Sequence, residues 1–230
     1  MGHSRPDKRS ATQLRTMGCV IGMLSRADGS ARFSLGDSNV LCSVYGPTAA
    51  RARDERLDQA CIQVVFNPVS GASGTQERMY ERHVRQMVEA LILTTLHPRT
   101  TIQITLQVLS NDGSILATAM NAVVLALIDA GIPLRITCAS TTCMINQDGT
   151  LLLDPVSMEV SEAQSIHTLM FDTTTSEVMG IDSTGLFDTE EVRKSLTHAM
   201  NYLSAASSIH SFMRAAIERK IKKEQGVDSQ

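Results

Sequence analysis

Apolar and polar positions first alternate in short runs, and only later fall into helical periods. Residues 19–24, 31–35 and 39–45 are brief apolar-rich runs, separated and closed by the turn residues Asp28-Gly29-Ser30, Gly36-Asp37 and Gly46-Pro47. This spacing predicts a meander of antiparallel strands. Residues 48–58 are polar and Arg-rich and read as a loop, and 61–66 form another strand closed by Asn67-Pro68. From 76 to 96, the residues Met79, Val84, Met87, Val88, Leu91 and Ile92 share one helical face, and His97-Pro98 ends the helix. Residues 101–108 alternate strictly. Ile102, Ile104, Leu106 and Val108 point one way, and Thr101, Gln103, Thr105 and Gln107 the other. That is a half-buried strand with one wet face.

The turn Asn111-Asp112-Gly113-Ser114 leads into a helix over 116–130 that is apolar all round, with Ala117, Ala119, Ala122, Val123, Val124, Leu125 and Leu127. Such a helix is buried on every side. Gly131 caps it and Pro133 prevents its continuation. Strands are predicted over 136–145, 151–153, 165–171 and 177–181, with a hairpin turn at Gln147-Asp148-Gly149. Asp188 is an N-cap with Glu190 and Glu191 in the first turn of a last helix reaching Lys223. Its inward residues are Val192, Leu196, Ala199, Leu203, Ala206 and Ile209. The pattern is α+β, with helices covering sheet faces. It places a single domain over 15–225 between flexible tails at 1–14 and 226–230. No sequence repeat marks two halves.

Composition narrows the core. Of 230 residues 43% are hydrophobic, only 3% are aromatic and Trp is absent, so aliphatic residues and 12 Met must fill the interior. The net charge of -3 gives no bulk attraction for nucleic acid. The positive charge is clustered instead, at Arg5, Lys8, Arg9 and Arg15, at Arg51, Arg53 and Arg56, and at Arg214, Arg219, Lys220, Lys222 and Lys223. The last group suits a helix C-terminus. The 5 cysteines are odd in number, form no CxxC and sit mostly in apolar segments. They read as buried free thiols of a reducing compartment. No histidine pairs with them at ligand spacing, so no metal is expected. No leader segment and no membrane-spanning run is present, so no membrane association is expected.

Ordered motifs carry the reading further. Arg5-Pro6-Asp7-Lys8-Arg9 with Gln13-Leu14-Arg15 comes first, then Ala27-Asp28-Gly29-Ser30-Ala31, Gly36-Asp37 and Val44-Tyr45-Gly46-Pro47. Leu96-His97-Pro98-Arg99-Thr100, Asn121-Ala122 and Asp129-Ala130-Gly131-Ile132-Pro133 follow in order. Together they resemble the RNase PH family, and most of all its RNase PH-like ring subunits in the eukaryotic RNA exosome. The resemblance implies an RNase PH-like fold (S5 domain 2-like) built as a pair of related α+β units. It implies a hexameric ring with single-stranded RNA threaded through its centre. The implied partners are other RNase PH-like ring subunits, RNA-binding cap subunits and a separate catalytic nuclease. The implied locations are nucleus, nucleolus and cytoplasm.

Phosphorolysis needs cationic donors for phosphate and carboxylates, or a metal, for proton transfer. In active members of the family a Gly-Thr-Arg triplet at a helix N-terminus holds phosphate. The matching positions here are Ser114-Ile115-Leu116. Two Asp residues six apart follow a Leu-Asp pair in active members, and counting from Leu153-Asp154 lands on Val160 and Ile166. A further family Arg falls at 74–77, where the nearest residues are Arg78 and Arg82. The expectation is therefore a non-catalytic structural subunit with no catalytic residue, cofactor or metal. The alternative is a weak phosphorolytic 3′-to-5′ exoribonuclease acting as a homo-oligomer. Glu159 and Glu162 are expected to be solvated surface carboxylates, His167 a structural histidine and Ser114 a helix cap. The family places the loop holding Arg51, Arg53 and Arg56 near the channel constriction, which makes these arginines candidate RNA contacts. Such contacts fall on phosphates and carry no base preference. Tyr45, Phe66 and Tyr80 are too scattered to support base stacking.

Overall fold

The alternating stretch around 101–108 becomes a central strand of a first sheet. The structure is a computed structural model and describes residues 5, 7–186 and 189–225, the side chains of 189–202 and 224 excepted. The expected tail at 226–230, the Asp188 cap, Glu190 and Glu191 beside it, and the inward placing of Val192, Leu196 and Ala199 lie outside the described residues. Strands β1 (Met17–Ile21), β2 (Gly29–Leu35) and β3 (Ser38–Ala49) form the expected antiparallel meander. Strand β5 (Thr100–Ser110) pairs with β3 antiparallel and with β4 (Cys61–Asn67) parallel, giving the order β1-β2-β3-β5-β4. Ile102, Ile104, Leu106 and Val108 are buried, while Gln103 is exposed and Thr105 and Gln107 are half-exposed. Thr101 is the exception on the wet side. It is buried at the end of the strand, where its carbonyl accepts the Thr48 hydroxyl.

Helix α1 (Thr75–Leu91) makes the crossover between the parallel strands. It ends earlier than its apolar period predicts. Ile92 turns extended and bridges Leu134, the Leu93 N–H donates to the Pro133 carbonyl and the Arg135 N–H to the Leu91 carbonyl. A 3-10 turn over Thr94–Leu96 then closes the connection. Val84, Val88 and Leu91 of the expected face are buried, but Met79 is exposed.

Helix α2 (Ile115–Asp129) is buried at every position from 115 to 127. It packs on β2 and β3 from one side and on β6 (Cys138–Asn146) from the other. A helix without a solvent face needs both sheets to cover it. Its one buried amide, Asn121, donates to the Ser140 carbonyl at 3.0 Å and accepts the Ser140 N–H at 2.9 Å. At its end Gly131 takes φ +68°, the Gly131 N–H reaches the Ile128 carbonyl and the Ile132 N–H reaches the Leu127 carbonyl. These bonds satisfy carbonyls that a helix end leaves open.

The second sheet is antiparallel, in the order β7-β6-β8-β9, with β7 (Leu151–Leu153), β8 (Ala163–Asp172) and β9 (Val178–Gly185). A short helix α3 (Ser157–Glu162), not visible in the periodicity, sits between β7 and β8. The long helix α4 (Thr189–Glu224) lies against β1 and β6, with Phe212 meeting Phe33 edge-on at 6.4 Å.

The stretch expected as a flexible tail at 1–14 is corrected for residues 5 and 7–14. Arg5 is buried, and its guanidinium donates to both oxygens of Glu159 at 2.8 Å and to the carbonyls of Leu153 and Asp154. The Leu153 N–H donates to the Ala11 carbonyl at 2.8 Å. Arg15 binds the Asp154 carboxylate through two nitrogens at 2.7 and 2.8 Å and reaches Asp112 at 3.1 Å. Buried guanidinium groups must be paired, and their partners lie more than 90 positions away in the chain. The ordered domain thus includes residue 5 instead of starting at 15.

Asp154 is 0% exposed, and removing it leaves the buried Arg15 guanidinium only its contacts with Asp112. We expect Asp154→Ala to lower stability by about 3–5 kcal/mol, as for other broken buried pairs. Glu162→Ala, at an exposed site, should stay within about 0.5 kcal/mol. Denaturant unfolding of both variants checks this, and equal midpoints would refute it.

Candidate nucleic-acid interface

Leu116 from α2, Val160 from α3 and Ile166 from β8 line one cavity of about 330 Å³. Three positions that the family motif singles out are thus neighbours in space. The turn before α2 shapes one wall. Gly113 takes φ +79°, and a Cβ there would stand 2.4 Å from the Pro155 carbonyl oxygen, so only glycine fits. Ser114 follows at φ 50° as the N-cap residue, but its hydroxyl does not cap the helix as expected. It donates to the Pro155 carbonyl at 3.3 Å, because the left-handed backbone turns it toward the α3 approach.

Gln76 and Tyr80 of α1 and Thr142 and Thr168 of the second sheet complete the wall. Among the described residues lining this cavity there is no Asp, Glu, Lys, Arg or His. Thr142 and Thr168 share a hydroxyl contact of 3.2 Å, and Gln76 donates to the Tyr80 hydroxyl at 2.7 Å. Burial raises the Tyr80 pKa, with the charges of Asp182 and Glu77 adding and the Gln76 bond opposing, so the phenol stays neutral. Arg78 and Arg82 do not line the cavity and are exposed.

Glu159 is corrected from a solvated to a buried carboxylate, at 5% exposure. Burial raises its pKa, but the Arg5 bonds, the Val156 N–H and the Arg5 charge outweigh that, and the group lies below its ordinary 4.5. Glu162 is exposed, as expected. His167 is buried between the Ser165 hydroxyl at 3.0 Å and the Ser183 hydroxyl at 2.8 Å, a satisfied structural histidine. All five cysteines are free thiols. Burial pushes Cys138 and Cys143 up to about 12 and Cys42 higher still, which leaves these three unreactive. Among the described residues no group of His, Cys, Asp or Glu could hold a metal ion.

Arg51, Arg53 and Arg56 stand on the connection between β3 and β4, far in kind from the neutral cavity. All three are exposed, the Arg53 and Arg56 side chains at 86% and 49%. Their ion pairs are loose, at 3.5 Å from Arg53 to Asp54 and 4.0 Å from Arg56 to Glu89. The loop itself is fixed. The Arg99 N–H donates to the Arg56 carbonyl and the Ala50 N–H to the Arg99 carbonyl, both at 3.1 Å. Arg99, at φ 58°, sets its side chain 3.6 Å from Glu55 and adds a cation that the sequence pattern does not connect with this loop.

Residues 13–133 match the model of the RNase_PH family, described as "3' exoribonuclease family, domain 1". The chain is 35% identical to the rice (Oryza sativa subsp. japonica) protein named exosome complex exonuclease RRP46 homolog, over 96% of this chain and 98% of that one. It is 32% identical to the Arabidopsis thaliana protein of the same name, over 95% and 98%. The crystal structure of rice Rrp46 matches with a TM-score of 0.84 at 36% identity, covering 91% of this chain and 98% of that one.

The Arg5–Glu159 pair makes a pH prediction. The carboxylate pKa is depressed on folding, so its stabilisation is present above the unfolded value near 4.5 and is lost as pH falls through the folded value. Below about pH 4.5 the wild type should lose stability more steeply than Glu159→Gln, which has no such proton to take up. Denaturant midpoints across a pH series measure it, and parallel curves would count against the assignment.

Proposed function

The chain belongs to the RNase PH family, and from that premise we propose that it is a structural, RNA-guiding subunit of an exosome core ring without phosphorolytic activity of its own. The carrying observation is the neutral cavity where Leu116, Val160 and Ile166 meet. Phosphorolysis must hold inorganic phosphate beside a phosphodiester, both anionic, and move a proton. Leucine offers no hydrogen bond and no charge, and valine and isoleucine neither accept a proton nor hold a metal. Each missing group of this kind costs about a hundredfold or more in rate. Glu159 is no substitute, since Arg5 occupies both of its oxygens.

The relatives' names refer to the exosome complex, which supports an assembled state for this chain. The partners in this reading are other RNase PH-like ring subunits, RNA-binding cap subunits and a separate catalytic nuclease, in the nucleus, nucleolus and cytoplasm. Arg51, Arg53 and Arg56 would touch single-stranded RNA through its phosphates. The word exonuclease in the names of the plant relatives keeps one rival in view, a weak phosphorolytic exoribonuclease acting as a homo-oligomer.

Two measurements decide. In phosphate buffer the purified chain should release no nucleoside diphosphates from single-stranded RNA. Release that survives stringent purification and follows the chain through every column would establish the rival. In the assembled ring, Arg51→Ala, Arg53→Ala and Arg56→Ala together should weaken RNA protection equally for unrelated sequences. The slope of log affinity against log salt should shrink by roughly 0.7 for each phosphate that is no longer bound. Unchanged affinity and slope would remove the loop from the RNA path.

A further inference from the structure

Helix α1 carries Arg78, Arg82 and Arg85 on one side, at spacings of four and three residues. Residues so spaced are neighbours on a helix surface, with Cβ atoms about 5–6 Å apart. All three side chains are exposed. Two acids of the same helix are committed elsewhere. Glu77 accepts the Gly74 N–H at 2.7 Å and Glu81 accepts the Phe66 N–H at 3.0 Å, while Glu89 stands 4.0 Å from Arg56. Among the described residues Arg78, Arg82 and Arg85 have no ion pair or hydrogen-bond partner for their side chains.

The stripe is separate from the rest of the helix. Val84, Val88 and Leu91 face the core, and Gln76, Met79 and Tyr80 face the neutral cavity. One turn beyond Arg85, Glu89 joins the stripe to Arg56 and so to the loop with Arg51 and Arg53. The helix holds the three guanidinium groups along a line of about 10 Å, from its rise of about 1.5 Å per residue. Guanidinium forks suit phosphate oxygens, and a line of them suits successive phosphates of one strand.

Resting on the reading of the chain as an RNA-guiding subunit, we propose that Arg78, Arg82 and Arg85 form a second site for the phosphate backbone of single-stranded RNA, continuous with the loop at 51–56. An acidic protein segment is the less suitable occupant. Protein contacts draw most of their energy from apolar and aromatic anchors in pockets. The exposed positions beyond the stripe, Gln86, Glu89 and Ala90, offer none, and Met79 is the one large apolar side chain that the helix exposes. A phosphodiester strand needs only the charges.

The test uses the assembled ring and a fluorescent uridine 20-mer, with affinity read by anisotropy across a salt series. Arg78→Gln, Arg82→Gln and Arg85→Gln together keep helix propensity and should leave the fold intact. This triple should bind roughly tenfold or more weakly at low salt, with the log–log slope reduced by about 2, or roughly 0.7 for each of three phosphates. Lysine at the same positions should restore most of both. If the triple melts early, Arg82→Gln alone carries the test at a third of the slope change. If the wild type binds, the loop triple weakens binding and the α1 triple leaves it unchanged, this inference falls and the functional reading stands. If the wild type shows no salt-dependent binding at all, the reading falls and takes the inference with it. An α1 triple that folds but no longer joins its partner chains gives this face to protein and also overturns the proposal.

Discussion

The walls of the cavity hang on a carboxylate that has no contact with water. Asp154 lies fully buried in a left-handed backbone conformation, at the turn between β7 and α3. A charge in that position is tolerable only when opposite charge and hydrogen bonds surround it. Arg15 supplies both, through its main-chain N–H at 3.0 Å and its guanidinium. The same guanidinium extends to the carbonyl and carboxylate of Asp112, which holds the turn before α2. Arg5 then ties Glu159, and with it α3, to the same N-terminal segment. Leu116 and Val160 therefore keep their relative places because two ion pairs behind them are fixed. The frame of this cavity is ionic while its lining is neutral. A frame can hold a shape without supplying any chemistry inside it.

The apolar helix α2 imposes the second constraint. With no side to offer to water, it forces both sheets to close on it. Asn121 then fixes the depth and rotation of the helix against β6, since its amide matches both backbone groups of Ser140. The N-terminus of α2 is delivered to the cavity by that packing, and Leu116 is delivered with it.

Local patterning is legible wherever a period is long enough to read. The alternation through Ile102, Ile104, Leu106 and Val108, the continuous apolar run of α2 and the strand at Leu151–Leu153 all follow from nearest-neighbour physics. The cavity is legible only through family motif counting, which groups Leu116, Val160 and Ile166 although no local pattern connects them. What stays hidden depends on partners distant in sequence. Polar residues at the N-terminus look solvated until Glu159 and Asp154 are placed beside them. Six residues of α3 are too few to show a helical period. The end of α1 is set by Leu134, some forty positions further along, and not by its own apolar face. The left-handed turn at Ser114 follows from contact with Pro155, and a serine before a helix reads as a cap without it.

The arginines show how one side chain serves two ends according to what lies within reach. Arg5 and Arg15 meet carboxylates at 2.7–2.8 Å, lose their water and become structure. Arg53 and Arg56 meet theirs only at 3.5–4.0 Å on the surface, where such pairs contribute little. With a net charge of -3 the whole molecule offers phosphates no pull from afar. Charges further away than about 8 Å are screened at physiological ionic strength. Any attraction must therefore begin at local arrays such as the loop at 51–56, once a strand is already close. A passage that confines the strand supplies that closeness, so a chain with this charge balance is suited to guiding RNA inside an assembly and poorly suited to capturing it from solution.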